Sequence, residues 1–132
     1  MKQNMSSETK EQTIKIGNLE IGSKHPPRII AEIGINHSGD INTAKKLADL
    51  AASNGADIIK SQFHIPNEEM SPAAKKVIPP HTSKSIFEIM EDCSLTADEE
   101  YEFKLHIESL NKEYLCTPFS SKAAEILGQM KV

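Results

Sequence analysis

Several features that mark membrane, exported or nucleic-acid-binding proteins are missing from this sequence. No apolar run reaches the roughly 18 residues that a membrane span needs. The polar start, residues 1–12, lacks the apolar core of a secretion signal. The net charge of −4, with both signs interspersed, provides no basic footprint for nucleic acid. We therefore expect a cytoplasmic protein with reduced thiols, no membrane contact and no nucleic-acid partner.

Cysteine is scarce, and a glycine-rich phosphate loop is absent. Cys93 and Cys116 fit no metal-binding or redox spacing, and the apolar neighbours of Cys116 predict a buried thiol rather than a disulfide. No glycine cluster matches a nucleotide-binding fingerprint. His37 and His64 lie on different predicted strands, without a carboxylate at a known distance, and so support zinc only weakly.

The length of 132 residues fits one ordinary domain, since domains usually take about 100 to 200 residues. Residues 1–12 are too polar to bury much surface, which predicts a disordered lead-in. Apolar residues alternate over 13–22 on either side of Gly17 and Asn18, which predicts a small β-hairpin. The predicted domain is 13–132.

Strand and helix patterns alternate after the hairpin. An apolar run at 28–35 predicts a buried parallel strand. Asp40 is suited to cap a helix predicted at 41–53, and Gly55 is free to take the left-handed conformation that ends it. A second strand is predicted at 56–63, which completes a βαβ unit.

The next stretch, 64–85, carries four prolines and is predicted to be irregular. Loops longer than about 15 residues are uncommon unless they are functional or disordered. Because this one follows the strand that carries Lys60, we interpret it as the lid or wall of a pocket. Ser85 then begins a capping box that predicts a short helix through Met90.

The last part of the chain repeats the pattern of helix, strand and helix. Thr96 begins a second capping box, before a longer helix with Phe103 on its apolar side. A third strand is predicted at 114–117, halted by the proline that follows it. Ser120 or Ser121 is predicted to cap the final helix.

The predicted order is therefore a hairpin followed by three βα units. Three parallel strands can bury both of their faces only when more strands and helices join them. We expect an α/β fold, the N-terminal part of a TIM (β/α)8 barrel of roughly 250 residues, truncated after the third βα unit.

Each predicted strand delivers polar side chains at its carboxyl end, where barrel enzymes place reacting groups. An ionised Glu32 buried without a partner would cost several kcal/mol. It is therefore either functional or paired with a basic residue that merely orders the strand. The polar set is Glu32, Asn36 and His37 from the first strand, Lys60, Gln62 and His64 from the second, and Thr117 and Ser120 from the third.

A lysine beside hydroxyls and amides suits an anionic ligand, because the ammonium supplies compact charge and hydroxyls supply directed donors. Phosphate or carboxylate is the predicted ligand. Two simpler interpretations stay open: Lys60 points into solvent, and Asn36 and His37 merely tie the turn through side-chain to backbone hydrogen bonds. His106, on a mostly polar helix face, is assigned no role.

Six short motifs occur in a fixed order over nearly the whole chain, from about residue 14 onward. They are IAEIGINH at 30–37, GADIIK at 55–60, EMS at 69–71, KKVIP at 75–79, SIFEIM at 85–90 and TPFS at 117–120. With these motifs the chain resembles the sialic acid synthase family, the phosphoenolpyruvate-dependent N-acetylneuraminate synthases.

The resemblance implies a TIM barrel followed by a small antifreeze-like domain, in a homodimer. It implies that carbon 3 of phosphoenolpyruvate attacks the aldehyde of an N-acylmannosamine whose oxygen is polarised by Mn²⁺ or Mg²⁺. Water adds at carbon 2 and phosphate leaves by C–O cleavage, which gives a nonulosonic acid. The metal ligands of the family match no residue of this sequence, and we expect these 132 residues alone to be inactive.

The resemblance also assigns roles to individual residues. Glu32 is the implied catalytic residue, facing the sugar and the forming tetrahedral centre. The implied phosphoenolpyruvate contacts are Lys60, Thr117 and Ser120; the implied sugar contacts are Glu32, Gln62 and His81; and the implied supporting residues are Asn36, His37 and His64.

Two departures from the family pattern bear on the sugar. Phe63 stands where many relatives carry threonine, and His81 stands where bacterial N-acetylneuraminate enzymes tend to carry an asparagine that touches the sugar. The sugar is therefore open, with legionaminic-type acids among the products to consider. Two alternatives remain, a truncated non-catalytic module that binds an anionic or sugar ligand and a related phosphoenolpyruvate aldolase such as a deoxyoctulosonate synthase.

Overall fold

The computed structural model describes residues 12–132, where a two-stranded antiparallel hairpin precedes a three-stranded parallel sheet. Strand β1 (Ile14–Ile16) pairs with β2 (Leu19–Ile21) around the predicted Gly17 turn, where the positive φ of 54° favours glycine. The predicted hairpin is confirmed. The predicted lead-in at 1–12 lies outside the described residues, apart from Gln12.

The parallel sheet contains β3 (Ile30–Gly34), β4 (Ile58–Phe63) and β5 (Glu113–Pro118), with β4 in the centre. Both pairings, β3 with β4 and β4 with β5, are parallel. A parallel pair needs a crossover connection, and the chain supplies one between each pair of strands. The three predicted strands and their parallel arrangement are confirmed.

Five α-helices and one 3-10 helix are described. They are α1 (Ile41–Ser53), α2 (Pro66–Glu69), the 3-10 helix (Pro72–Lys76), α3 (Ile86–Cys93), α4 (Ala97–Ser109) and α5 (Ser121–Gln129). The predicted caps form: the Asp40 carboxylate accepts hydrogen bonds from the first turn of α1, and the capping boxes at Ser85 and Thr96 are both present. Of the two serines predicted to cap α5, Ser120 does so.

Several element boundaries differ from the prediction. Strand β3 covers Ile30–Gly34 where 28–35 was predicted, and β4 covers Ile58–Phe63 where 56–63 was predicted. The stretch 64–85 is not wholly irregular, since two of its prolines open α2 and the 3-10 helix, where a proline at the first position is tolerated. Helix α3 runs to Cys93 instead of Met90, because no glycine or proline interrupts the chain there. Pro118 is the last residue of β5 rather than the residue after it.

One face of the sheet packs on the helices. Ile59 of β4 and Tyr114 of β5 join a buried cluster with Phe103 and Ile107 of α4 and with residues of α1. Phe63 packs against α5 in a second cluster. Since side chains alternate along a strand, the residues between these positions lie on the opposite side. We call that side the open face; it carries Glu32, Lys60, Gln62 and Thr117.

A carboxyl group is buried between α4 and the sheet. Glu100 is 1% exposed, and its Oε1 accepts hydrogen bonds from the hydroxyls of Ser61 and Tyr114. Burial raises the pKa of the Glu100 carboxyl, and the two hydroxyl donors oppose that shift. The sequence analysis missed this group, although Glu100 lies one helical turn before Phe103 on the apolar side of α4.

Replacing this carboxyl with an amide should change how stability depends on pH. Because folding raises the pKa of Glu100, the folded protein holds the proton more tightly than the unfolded chain, and stability falls as pH rises above the ordinary value of 4.5. The stability of Glu100→Gln relative to the unchanged protein, measured as the difference between their free energies of unfolding, should therefore increase with pH. Denaturant unfolding from about pH 4 to about pH 8 measures this.

The matched control is Glu125→Gln, which removes an exposed carboxylate from α5. Its unfolding free energy should track that of the unchanged protein across the pH range. A constant difference for Glu100→Gln would show that the buried carboxyl does not contribute to the pH dependence.

Candidate functional site

Glu32 and Lys60 face each other across β3 and β4 on the open face. They are register partners, and Lys60 Nζ lies 2.7 Å from Glu32 Oε2. Their side chains are 42% and 33% exposed, respectively, so this pair contributes at most about 1 kcal/mol to stability. The basic partner considered for Glu32 in the sequence analysis is therefore Lys60. A pair this weak can exchange one of its members for a ligand.

Gln62 and Thr117 extend the polar surface toward the carboxyl ends of the strands. Gln62 lies on the same face of β4 as Lys60, as predicted from their spacing. Thr117 is the register partner of Gln62 on β5. Parallel register thus places an acid, an ammonium, an amide and a hydroxyl on three adjacent strands.

A bulge in β3 shapes the surface beside Glu32. The register of β3 against β4 shifts between Glu32 and Gly34, and Gly34 has a φ of 56°, in the region that favours glycine. A Cβ added to Gly34 would lie 3.6 Å from Gln62 Nε2 and 3.7 Å from Glu32 Oε1. The amide and the carboxylate therefore flank a residue without a side chain. The glycine is the one sequence signal that could have revealed the bulge.

His64, directly after β4, is buried between a carboxylate and an aromatic ring. Its Nδ1 lies 2.9 Å and 3.0 Å from the two carboxylate oxygens of Glu69, and its Nε2 lies 3.4 Å from Gln62 Oε1. The ring stacks on Phe119 with a centroid separation of 4.1 Å. Sequence analysis predicted a supporting role for His64 but missed Glu69 and Phe119, which come from other elements.

Asn36 and His37 bond to the backbone of the turn after β3. Asn36 Nδ2 donates to the carbonyl of Ile33 at 2.8 Å, and His37 Nδ1 accepts from the backbone N–H of Gly39 at 3.1 Å. His37 is buried, and this burial lowers the pKa of its imidazole. Both side chains therefore stabilise the turn through hydrogen bonds to its backbone, which is the simpler of the two interpretations in the sequence analysis.

Three residues named in the sequence analysis lie apart from this group. Ser120 Oγ accepts the backbone N–H of Ala123 at 3.1 Å as the cap of α5. His81 lies exposed in the turn before α3, and no hydrogen bond joins it to the open face within residues 12–132. The side chain of Phe63 packs against α5 on the helix-covered side of the sheet, so it does not line the open face, and its bearing on the sugar stays a prediction.

The described residues do not fit a metal centre. Nowhere in 12–132 do three or more histidine, cysteine, aspartate or glutamate side chains converge as metal ligands would. The carboxylate of Glu32 is paired with Lys60, and His64 with Glu69. None of the helices described for these residues has the length and apolar character to cross a membrane.

A family model described as the NeuB family matches residues 47–132. The chain is 35% identical over 108 residues to N,N'-diacetyllegionaminic acid synthase of Campylobacter jejuni, covering 77% of this chain and 32% of that protein. It is 31% identical over 117 residues to N-acetylneuraminate-9-phosphate synthase of Mus musculus, a match that covers 85% of this chain and 32% of that protein.

A crystal structure of N-acetylneuraminic acid (sialic acid) synthetase from Leptospira borgpetersenii, in complex with citrate, superposes with a TM-score of 0.77. That protein is 28% identical, and the match covers 92% of this chain and 39% of the other. The chain thus spans about a third of the length of the curated relatives that it matches.

Removing the acid of the cross-strand pair should strengthen anion binding. Glu32 competes with a ligand for Lys60, and an exposed pair is worth roughly 0.2 to 1 kcal/mol. Glu32→Gln should therefore tighten the binding of inorganic phosphate by about 1.4- to fivefold. Isothermal titration of both proteins measures this, with Glu102→Gln, which frees Lys45 outside the site, as the control. Unchanged or weaker phosphate binding by Glu32→Gln would contradict the competition.

Proposed function

We propose, from the premise that this chain belongs to the NeuB family, that the whole protein condenses phosphoenolpyruvate with an N-acylmannosamine-type sugar. The products are a nonulosonic acid and phosphate. The observation that supports this most directly is the juxtaposition of Glu32, Lys60, Gln62 and Thr117 on one face of three parallel strands. An acid, a cation and directed donors are what a condensation between an anion and a hydroxylated aldehyde requires.

We also propose that the sheet continues into a (β/α)8 barrel whose interior is the open face. Helices cover one side of β3, β4 and β5, while the other side carries polar groups together with Ile30, which is nearly half exposed. In such barrels the carboxyl ends of the strands form the active site. This places the four proposed site residues near the mouth of the barrel.

The phosphate of phosphoenolpyruvate is proposed to bind Lys60. The ammonium exchanges the Glu32 carboxylate for the more highly charged phosphate, and charge-assisted hydrogen bonds of this kind are among the strongest in proteins. The hydroxyl of Thr117 donates a further hydrogen bond to the same ligand. Ser120 accepts a backbone N–H as a helix cap, but its own hydroxyl hydrogen remains available for phosphate.

Glu32 is then free to handle protons at the reacting carbons. Carbon 3 of phosphoenolpyruvate bonds to the aldehyde carbon, and the aldehyde oxygen takes up a proton to become a hydroxyl. Water adds at carbon 2, and the carboxylate of Glu32 accepts the proton that this water loses. The C–O bond to phosphate breaks next: the hydroxyl at carbon 2 becomes the keto group of the product, and its proton leaves on the departing phosphate.

Gln62 is proposed to contact the sugar, because its amide lies beside Glu32 on the open face. Asn36, His37 and His64 are proposed to support the site from the turn and from the end of β4. His81 is proposed to contact the sugar from the exposed turn before α3.

Two further proposals for the whole protein come from the family resemblance. One is assembly as a homodimer. The other is a divalent cation, Mn²⁺ or Mg²⁺, which would polarise the aldehyde oxygen. The described residues do not fit a site for that ion.

The direct test uses the product of the complete open reading frame that encodes this chain. It should release phosphate from phosphoenolpyruvate in the presence of Mn²⁺ and either N-acetylmannosamine or a diacetamido analogue. A phosphate-release assay with each sugar measures both the activity and the preference. Ligand binding without phosphate release from any mannosamine derivative would favour a non-catalytic binding module instead.

The role of the lysine predicts a specific kinetic change. Lys60→Ala should raise the apparent KM for phosphoenolpyruvate by about ten- to a hundredfold, because one lost charge-assisted contact costs roughly 1.5 to 3 kcal/mol. Steady-state kinetics of the complete protein measure this, with Lys45→Ala on the helix-covered side as the control. An unchanged KM for phosphoenolpyruvate would remove Lys60 from the site.

A further inference from the structure

We infer that His64 is a positioning residue for the sugar: held by Glu69, it orients the amide of Gln62 so that the NH₂ group faces the open face. This inference deepens the proposed function and rests on it. It follows from the contacts that His64 makes on three sides, none of which is explained by the roles described above.

The Glu69 carboxylate fixes one edge of the ring. The side chains of His64 and Glu69 are 5% and 6% exposed, and a carboxylate this deeply buried needs a hydrogen-bonding partner. Both of its oxygens lie within 3.0 Å of Nδ1. Because a carboxylate oxygen only accepts hydrogen bonds, Nδ1 carries the hydrogen. Stacking on Phe119 holds the plane of the ring.

The Gln62 amide indicates whether the other ring nitrogen, Nε2, carries a hydrogen. The atom that faces Nε2 is the carbonyl oxygen of Gln62, at 3.4 Å, and this oxygen also only accepts. Both ring nitrogens of His64 thus face oxygens that only accept, and these contacts require a hydrogen on each nitrogen. A neutral ring with its hydrogen on Nδ1 would offer a lone pair at Nε2 and would turn the amide around.

The orientation of the amide decides what the site presents to a sugar. With its oxygen on His64, Gln62 directs its Nε2 toward Gly34, a residue that the Glu32 carboxylate also approaches. The open face then offers a hydrogen-bond donor beside an acceptor, which selects an acceptor oxygen on the substrate at that point. Besides Glu69, the titratable groups that act electrostatically with His64 are Glu100 of α4 and His37 of the turn after β3.

A double-mutant cycle in the complete protein separates positioning from general support. His64→Gln should raise the KM for the sugar about tenfold and leave the KM for phosphoenolpyruvate unchanged, because the misplaced amide loses one hydrogen bond to the sugar. In a Gln62→Ala background the same change should have little further effect, since no amide remains to be positioned. His106→Gln is the control, because His106 forms a similar pair with Asp49, at 2.7 Å, away from the site.

Three kinetic results would overturn the inference. The first is an equal rise in both KM values, which indicates a general loss of structure. The second is an effect of His64→Gln that is just as large in the Gln62→Ala background. The third is an unchanged KM for the sugar in His64→Gln.

A spectroscopic measurement decides the inference independently of activity. The ¹H–¹⁵N signals of the His64 imidazole are identified as those that disappear from the spectrum of the complete protein in His64→Gln. These signals should be those of a ring protonated at both nitrogens. Signals of a neutral ring would contradict the inference. Phosphate release failing with every sugar would count against the proposed function, whereas the imidazole spectrum would still decide the state of His64.

Discussion

The candidate site depends on the register between β3 and β4. Pairing Glu32 with Lys60 places an acid and an ammonium 2.7 Å apart on the side of the sheet that the helices leave uncovered. A slip of one residue would turn the whole strand over and send Lys60 into the apolar cluster around Ile59 and Phe103. Burying an unpaired ammonium there costs far more than the exposed pair contributes. Burial of the apolar core thus sets the register between β3 and β4, and this register in turn brings Glu32 and Lys60 together.

The helix-covered side also contributes to the placement of the site residues. Ser61 lies between Lys60 and Gln62 on β4, and its hydroxyl donates to the buried Glu100 carboxyl. Tyr114 of β5 donates to the same oxygen. One carboxyl on α4 therefore binds the two strands that carry the ammonium, the amide and the proposed phosphate contacts. Both hydroxyls donate to Oε1 of this carboxyl, whereas its buried Oε2 has no hydrogen-bond partner among the described residues.

Local sequence patterns predicted most of the fold, because each one carries its own physical signal. The caps of the helices need no distant residue to form, and the glycine signals the hairpin turn, although Glu113 also accepts a hydrogen bond from Asn18 there. What the sequence did not reveal depends on contacts between elements. Glu69 comes from a stretch predicted to be irregular and meets His64 only in the folded chain, and the bulge at Gly34 exists only against β4. The spacing of Lys60 and Gln62 predicted their shared face, but not that Glu32 would hold the lysine.

The central claim is that the open face of these strands binds the phosphate of phosphoenolpyruvate through Lys60. A crystal structure of the complete protein with phosphoenolpyruvate bound tests this most directly. The account predicts the phosphate within hydrogen-bond distance of Lys60 Nζ and the Thr117 hydroxyl, with the Glu32 carboxylate turned toward the reacting carbons. Phosphoenolpyruvate bound elsewhere, with the pair between Glu32 and Lys60 intact, would contradict it.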